Sequence, residues 1–222
     1  RLLEEYTPDI EKFSIDEAFL DMTETIHLFG SPAETADRIR ERIHRELGFT
    51  VNIGISTNKL LAKMASDFEK PNRVHTLFPE EMAEKFWPLP VESLYGCGKT
   101  TAKRLRSLGI TTIGALAKAD RQMLLSNFKS QGDYLWESAN GISSSAVTAE
   151  SPANKGYGNS VTLPYDVTDT ENAHTTFCYL SVRLWVRASV MIKPTSVWCR
   201  FRLWTMNFIT AAGSYPCLLP LT

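Results

Sequence analysis

The stretch Lys12-Phe13-Ser14-Ile15-Asp16-Glu17-Ala18-Phe19-Leu20-Asp21 constrains this chain most, because it sets two adjacent carboxylates between the apolar pairs Phe13/Ile15 and Phe19/Leu20. Its aromatic and branched residues favour extended backbone, so charge falls inside an element that must bury one face. Neighbouring side chains on a regular strand point to opposite faces. Asp16 and Glu17 therefore serve a common site only from a strand end or a tight turn. From there both reach a hard cation, for Mg²⁺ takes oxygen ligands, keeps several waters and is held by one or two carboxylates plus substrate phosphates. A solvated turn between two strands accounts for the same residues, and on this stretch alone both readings stay open.

At 222 residues, 43% hydrophobic and 22% charged, the chain is globular, and long enough for one substantial core or two to three small domains. The formal charge of -1 hides an asymmetry: residues 1–171 carry all 25 acidic side chains, and 172–222 carry only five basic ones. Cys97, Cys178, Cys199 and Cys217 show neither zinc spacing nor a disulfide framework, which predicts free thiols in a reducing, cytoplasmic setting. Leu203 to Thr222 is weakly charged but broken by Gly213, Pro216 and Pro220, so no membrane span is expected.

Ser31-Pro32 supplies an N-cap and an N1 proline, and Ala36, Ile39, Ile43 and Leu47 recur at helical spacing up to Gly48. Thr50 to Ser56 alternates as a strand, Asn58 caps a second helix, and Val74 to Phe78 reads as a further strand. Strand, helix, strand, helix predicts an open α/β unit. Lys59 and Lys63 stand one turn apart on the second helix, with Lys70 just beyond its end, so three cations project from one side. They are either solvated lysines or phosphate ligands. Pro79 starts a helix to Trp87, and Pro88 and Pro90 mark a boundary. Gly96-x-Gly98 then precedes a helix from Thr100 to Ser107, with Lys99 and Lys103 beside it. Such a hairpin offers unpaired backbone N–H groups to a phosphate, and glycine permits the turn and the close approach. A plain glycine-capped turn is the other reading. A nucleotide-binding P-loop is excluded, because its first glycine would fall at Ser93.

Four segments in order resemble the Y-family, UmuC/DinB-like translesion DNA polymerases: Ser14 to Asp21; Gly54 to Ser66 with Lys70-Pro71-Asn72; Leu94 to Lys99 with Leu108-Gly109-Ile110; and Gly158 to Pro164. The resemblance covers roughly the first three quarters of the chain. It implies an α+β to α/β architecture, with a partial palm of mixed sheet and helices at 1–78 and a helix-hairpin-helix thumb at 79–142. A linker at 143–155 and an incomplete α/β little finger at 156–222 would follow. It implies template-directed DNA synthesis past damaged bases by two Mg²⁺ ions, with Asp16 and Glu17 as catalytic metal ligands and Lys70 on the incoming deoxynucleoside triphosphate. Gly96, Gly98, Lys99 and Lys103 would contact primer-template DNA, and a sliding clamp would be a further partner of the intact protein.

The resemblance also places a further metal-binding aspartate and a fingers domain ahead of Arg1, so this chain by itself is expected to be inactive. Asp21 does not replace that aspartate, since four extended residues put it about 13 Å beyond Glu17. Past about Thr175 the match fades and acidic residues cease. This predicts a tail that is out of frame or truncated, or else a basic DNA-binding region using Arg183, Arg187, Lys193, Arg200 and Arg202. Two alternatives to a polymerase are a non-catalytic DNA-binding fragment and a nucleotide cyclase-like palm. Only the cyclase leaves the glycine hairpin without a purpose.

Overall fold

The computed structural model describes residues 1–149, scattered positions between 169 and 179, and, as backbone, 198–204 and 210–216. Strands β1 (Ile10–Lys12) and β2 (Ala18–Leu20) pair antiparallel with Ile10 opposite Leu20. The turn between them closes where the amides of Phe13 and Ser14 donate to the Glu17 carbonyl at 3.0 and 3.1 Å. The adjacent acids thus occupy a turn, the placement that lets neighbours escape the alternation of a strand.

Helix α1 (Pro32–Leu47) starts as its local signals dictate. The Ser31 hydroxyl accepts from the Glu34 amide at 3.3 Å and the Glu34 carboxylate accepts from the Ser31 amide at 3.1 Å, a reciprocal cap. It ends at Gly48, whose φ of 74° suits a residue without Cβ. Arg42 then ties the helix to the first residues of the chain through a forked pair with Glu5 at 2.7 and 2.9 Å.

A parallel βαβ unit follows: β3 (Ile53–Ile55), α2 (Lys59–Ser66) and β4 (Val74–Thr76). Asn58 caps α2 by accepting from the Leu61 amide at 2.9 Å. A Cβ on Gly54 would come within 1.9 Å of the Ala62 carbonyl oxygen, so only glycine lets α2 pack this close to the sheet. Both strands are shorter than the runs Thr50–Ser56 and Val74–Phe78. One reason is Asn52, whose side chain turns to the loop after α2 instead of a neighbouring strand. Among the described residues the two pairs of strands form separate two-stranded sheets rather than one open sheet.

Beyond a 3-10 turn at Pro79–Glu81, the helix expected to reach Trp87 stops early as α3 (Met82–Lys85). Trp87 precedes a proline, which disfavours helical backbone, and its carbonyl accepts instead from the Gly114 amide at 2.9 Å. Helices α4 (Lys99–Ser107), α5 (Ile113–Ala117), α6 (Arg121–Phe128) and α7 (Ser130–Ala139) complete this part. Its core takes Leu61, Met64 and Ala65 of α2 together with Phe86, Leu105 and Leu135. The residues expected to form palm and thumb therefore share one apolar interior.

The chain divides into two compact units, Arg1–Ser151 and Pro152–Thr222. In the second, residues 171–172, 174–176 and 178–179 are helical, and β5 (Trp198–Trp204) pairs antiparallel with β6 (Thr210–Pro216). The motif Gly158 to Pro164 and the basic residues Arg183, Arg187 and Lys193 lie outside the described residues. Among the described residues, Cys97 and Cys178 are free thiols, and no helix is long and apolar enough to cross a membrane.

Candidate functional site

Asp16 is exposed at the hairpin turn, where its Oδ1 accepts from the Ser14 hydroxyl at 2.7 Å. Glu17 is half-buried, and its Oε1 accepts from Lys63 Nζ at 2.5 Å. The two acids thus have different partners, and each keeps one carboxylate oxygen without a hydrogen bond among the described residues. One turn along α2, Lys59 Nζ reaches both oxygens of Glu11 at 2.7 Å and stands 5.2 Å from the centre of the Phe19 ring. Lys59 and Lys63 are only 15% and 16% exposed, which rules out the solvated reading for both. They are internal counter-ions that fasten the β1–β2 hairpin to α2.

The same chain of charge continues to the loop after α2. Lys63 also meets Asp67 at 3.2 Å, and Asp67 holds Lys70 at 2.7 Å. Burial disfavours the Lys63 ammonium, but the hydrogen bonds it donates to Glu17 and Asp67 outweigh it and hold the group above its ordinary 10.5. Burial likewise opposes the Asp67 carboxylate, and the Lys70 and Lys63 hydrogen bonds outweigh it, holding the group below its ordinary 3.8. Glu11 is lowered first by Lys59 and then by the Thr148 amide. Lys70 itself is 61% exposed, so its ammonium is presented to the outside.

Gly96 and Gly98 divide the labour assigned to them jointly. Gly96 has φ 84°, and a Cβ there would come within 2.8 Å of the Tyr134 ring, so the turn and its packing require glycine. Gly98 opens α4 in extended conformation with nothing within 4 Å of where a Cβ would stand. The first helical hydrogen bond runs from the Ala102 amide to the Gly98 carbonyl at 2.9 Å. That leaves the amides of Lys99, Thr100 and Thr101 without acceptors among the described residues, at the positive end of a helix. Lys99 and Lys103 are exposed, one turn apart and in no ion pair among the described residues, whereas Arg104 stacks on Phe128 at 5.0 Å and Arg106 pairs with Glu92.

The acid turn and the glycine hairpin are neighbours. Tyr95, beside Gly96, packs edgewise on Phe13 with ring centres 6.3 Å apart, and its amide lies 3.3 Å from the sulfur of Met64, next to Lys63. Among the described residues no group of three or more His, Cys, Asp or Glu side chains stands together as a metal site. The free oxygens of Asp16 and Glu17 are hard donors of the kind Mg²⁺ accepts, and they fit as part of a ligand set.

The sequence profile of the impB/mucB/samB family matches residues 1–67. DNA polymerase IV of Clostridium acetobutylicum is 50% identical over 173 residues, covering 78% of this chain and 43% of that protein. DNA polymerase IV 2 of Bacillus subtilis is 44% identical over 169 residues, covering 74% and 41%. Among solved structures, a Y-family polymerase chimera of Dbh and Dpo4 superposes with a TM-score of 0.78 at 24% identity, covering 100% of this chain and 63% of that one. A DinB family error-prone DNA polymerase from Sulfolobus solfataricus gives 0.63 at 25% identity, covering 97% and 63%. The fold is that of the Y-family DNA polymerases. The chain is similar to DNA polymerase IV over about three quarters of its length, and it spans less than half the length of the curated relatives it matches.

Proposed function

We propose that this chain is part of a DNA-directed DNA polymerase that copies past damaged bases, and that residues 1–222 by themselves bind primer-template DNA without extending it. The observation that carries the reading is the pairing of two sites on one packed unit. An acid turn sits beside a helix start whose amides and lysines have no hydrogen-bond or ion-pair partner among the described residues, joined through Phe13 and Tyr95.

In this reading Asp16 and Glu17 hold divalent cation, Mg²⁺ by chemistry, with further carboxylate ligands supplied from outside these residues. When bound, such cations acidify the primer 3′-hydroxyl and bind the triphosphate. Lys63 keeps Glu17 fixed and its charge balanced until then. Lys70 offers a point charge to the phosphates of the incoming deoxynucleoside triphosphate. The amides of Lys99, Thr100 and Thr101 receive a DNA backbone phosphate, with Lys99 and Lys103 beside it.

Fluorescence anisotropy with a primer-template duplex, alongside primer extension in Mg²⁺, tests both halves. Duplex binding that weakens with salt and survives Asp16→Ala/Glu17→Ala supports the reading; salt-insensitive or absent binding rejects it. Robust nucleotide incorporation by residues 1–222 would overturn the claim of inactivity.

A further inference from the structure

Lys70 sits on a loop, and a long, exposed lysine on a loop is a poor way to fix a charge, because ordering it costs side-chain and backbone entropy. The segment from Ser66 to Arg73 is nonetheless held at three points by one side chain. The Asn52 amide nitrogen donates to the carbonyls of Ser66 and Glu69, both at 3.2 Å, and its oxygen accepts from the Arg73 amide at 3.0 Å. These contacts grip the loop before and after Lys70, so that the limb carrying it leaves and re-enters the fold at fixed places. Asp67, within the gripped segment, then holds the ammonium at 2.7 Å.

We infer that Asn52 is a positioning residue for Lys70: it preorganises the loop so that the ammonium is already placed when a triphosphate arrives. Asn52 lies just ahead of β3, and β3 pairs with β4 at Ile53 opposite Val74. The grip therefore references Lys70 to the same βαβ unit that carries Lys63 and, through it, Glu17. Carbonyls can be gripped in this way only by a donor and an amide only by an acceptor, and the primary amide of Asn provides both in one side chain. The inference rests on Lys70 being the triphosphate contact.

The test is an NMR titration of isotopically labelled 1–222 with dATP and with dAMP in Mg²⁺, following Lys70 and the amides of 67–73. The wild-type chain is expected to respond to dATP at Lys70, and Lys70→Ala to lose about 10-fold or more in dATP affinity, the worth of a charged hydrogen bond. Asn52→Ala and the isosteric Asn52→Asp, which keeps the acceptor and loses the donors, are expected to lose about 3- to 10-fold for dATP. Both should leave dAMP affinity and the methyl signals of Leu61 and Met64 unchanged, which general loosening of the fold would not. If Lys70→Ala binds dATP like wild type, the reading of Lys70 falls and takes this inference with it. If Lys70→Ala weakens dATP but both Asn52 variants do not, or if they weaken dAMP equally, only the role of Asn52 is overturned.

Discussion

Two pairs of lysines, each one helical turn apart, meet opposite fates in this chain. Lys59 and Lys63 on α2 are spent on Glu11 and Glu17 and stand 15% and 16% exposed, whereas Lys99 and Lys103 on α4 are exposed with no ion pair among the described residues. The first pair fastens a hairpin; the second is available to phosphate. Identical spacing says only that two charges share a face, and the packing of that face decides whether they are structural or free.

The largest expected effect comes from removing the first pair's platform. Gly54→Val drives a side chain into the Ala62 carbonyl and lifts α2 from the sheet, so urea unfolding is expected to show about 3 kcal/mol less stability or outright loss of the fold. Next, Lys99→Ala/Lys103→Ala is expected to weaken duplex binding by about 10-fold and to reduce the salt dependence by about two counter-ions. Lys59→Met/Lys63→Met should leave that salt slope intact. A change of slope on altering the α2 pair would erase the contrast between the two pairs.

A smaller effect separates single members. Lys63→Met is expected to cost about 1 kcal/mol in thermal unfolding through the loss of two acid partners, with Lys103→Met within about 0.5 kcal/mol of wild type. The pH profile sharpens the same point. Glu11 and Asp67 are lowered, so their contribution is present above their ordinary 4.5 and 3.8 and is lost as pH falls through their folded values. Lys63 is raised, so its contribution is present below 10.5 and is lost as pH rises through its folded value. Stability measured across pH should show a plateau between these edges, and Asp67→Asn should soften both. The smallest effect belongs to Ile15, fully exposed at the hairpin tip, where Ile15→Ser should change stability by less than about 0.5 kcal/mol.

Much of the fold was legible because its signals are local. Ser31, Pro32, Glu34 and Gly48 mark the ends of α1 within the residues they terminate, and two consecutive acids can serve one site only from a strand end or a tight turn. The start of α4 at Lys99 instead of Thr100 is a matter of one residue. Asn52 was overlooked, although an asparagine inside an alternating run is itself a signal: its side chain competes for backbone hydrogen bonds and is depleted in strands. The necessity of Gly54 had no such mark, since the carbonyl it makes room for lies on a helix that packs back onto it.

The sequence by itself determined the order of elements, their caps, the family resemblance and the presence of an acid pair at a turn, all of which are written within a few residues of one another. Only the tertiary structure decided that Lys63 answers Glu17, that Lys59 answers Glu11, and that Gly96 serves Tyr134 while Gly98 stays open. Those partners lie tens of residues apart, and a charge or a missing Cβ acquires meaning only from whatever the packed chain brings within a few ångströms of it.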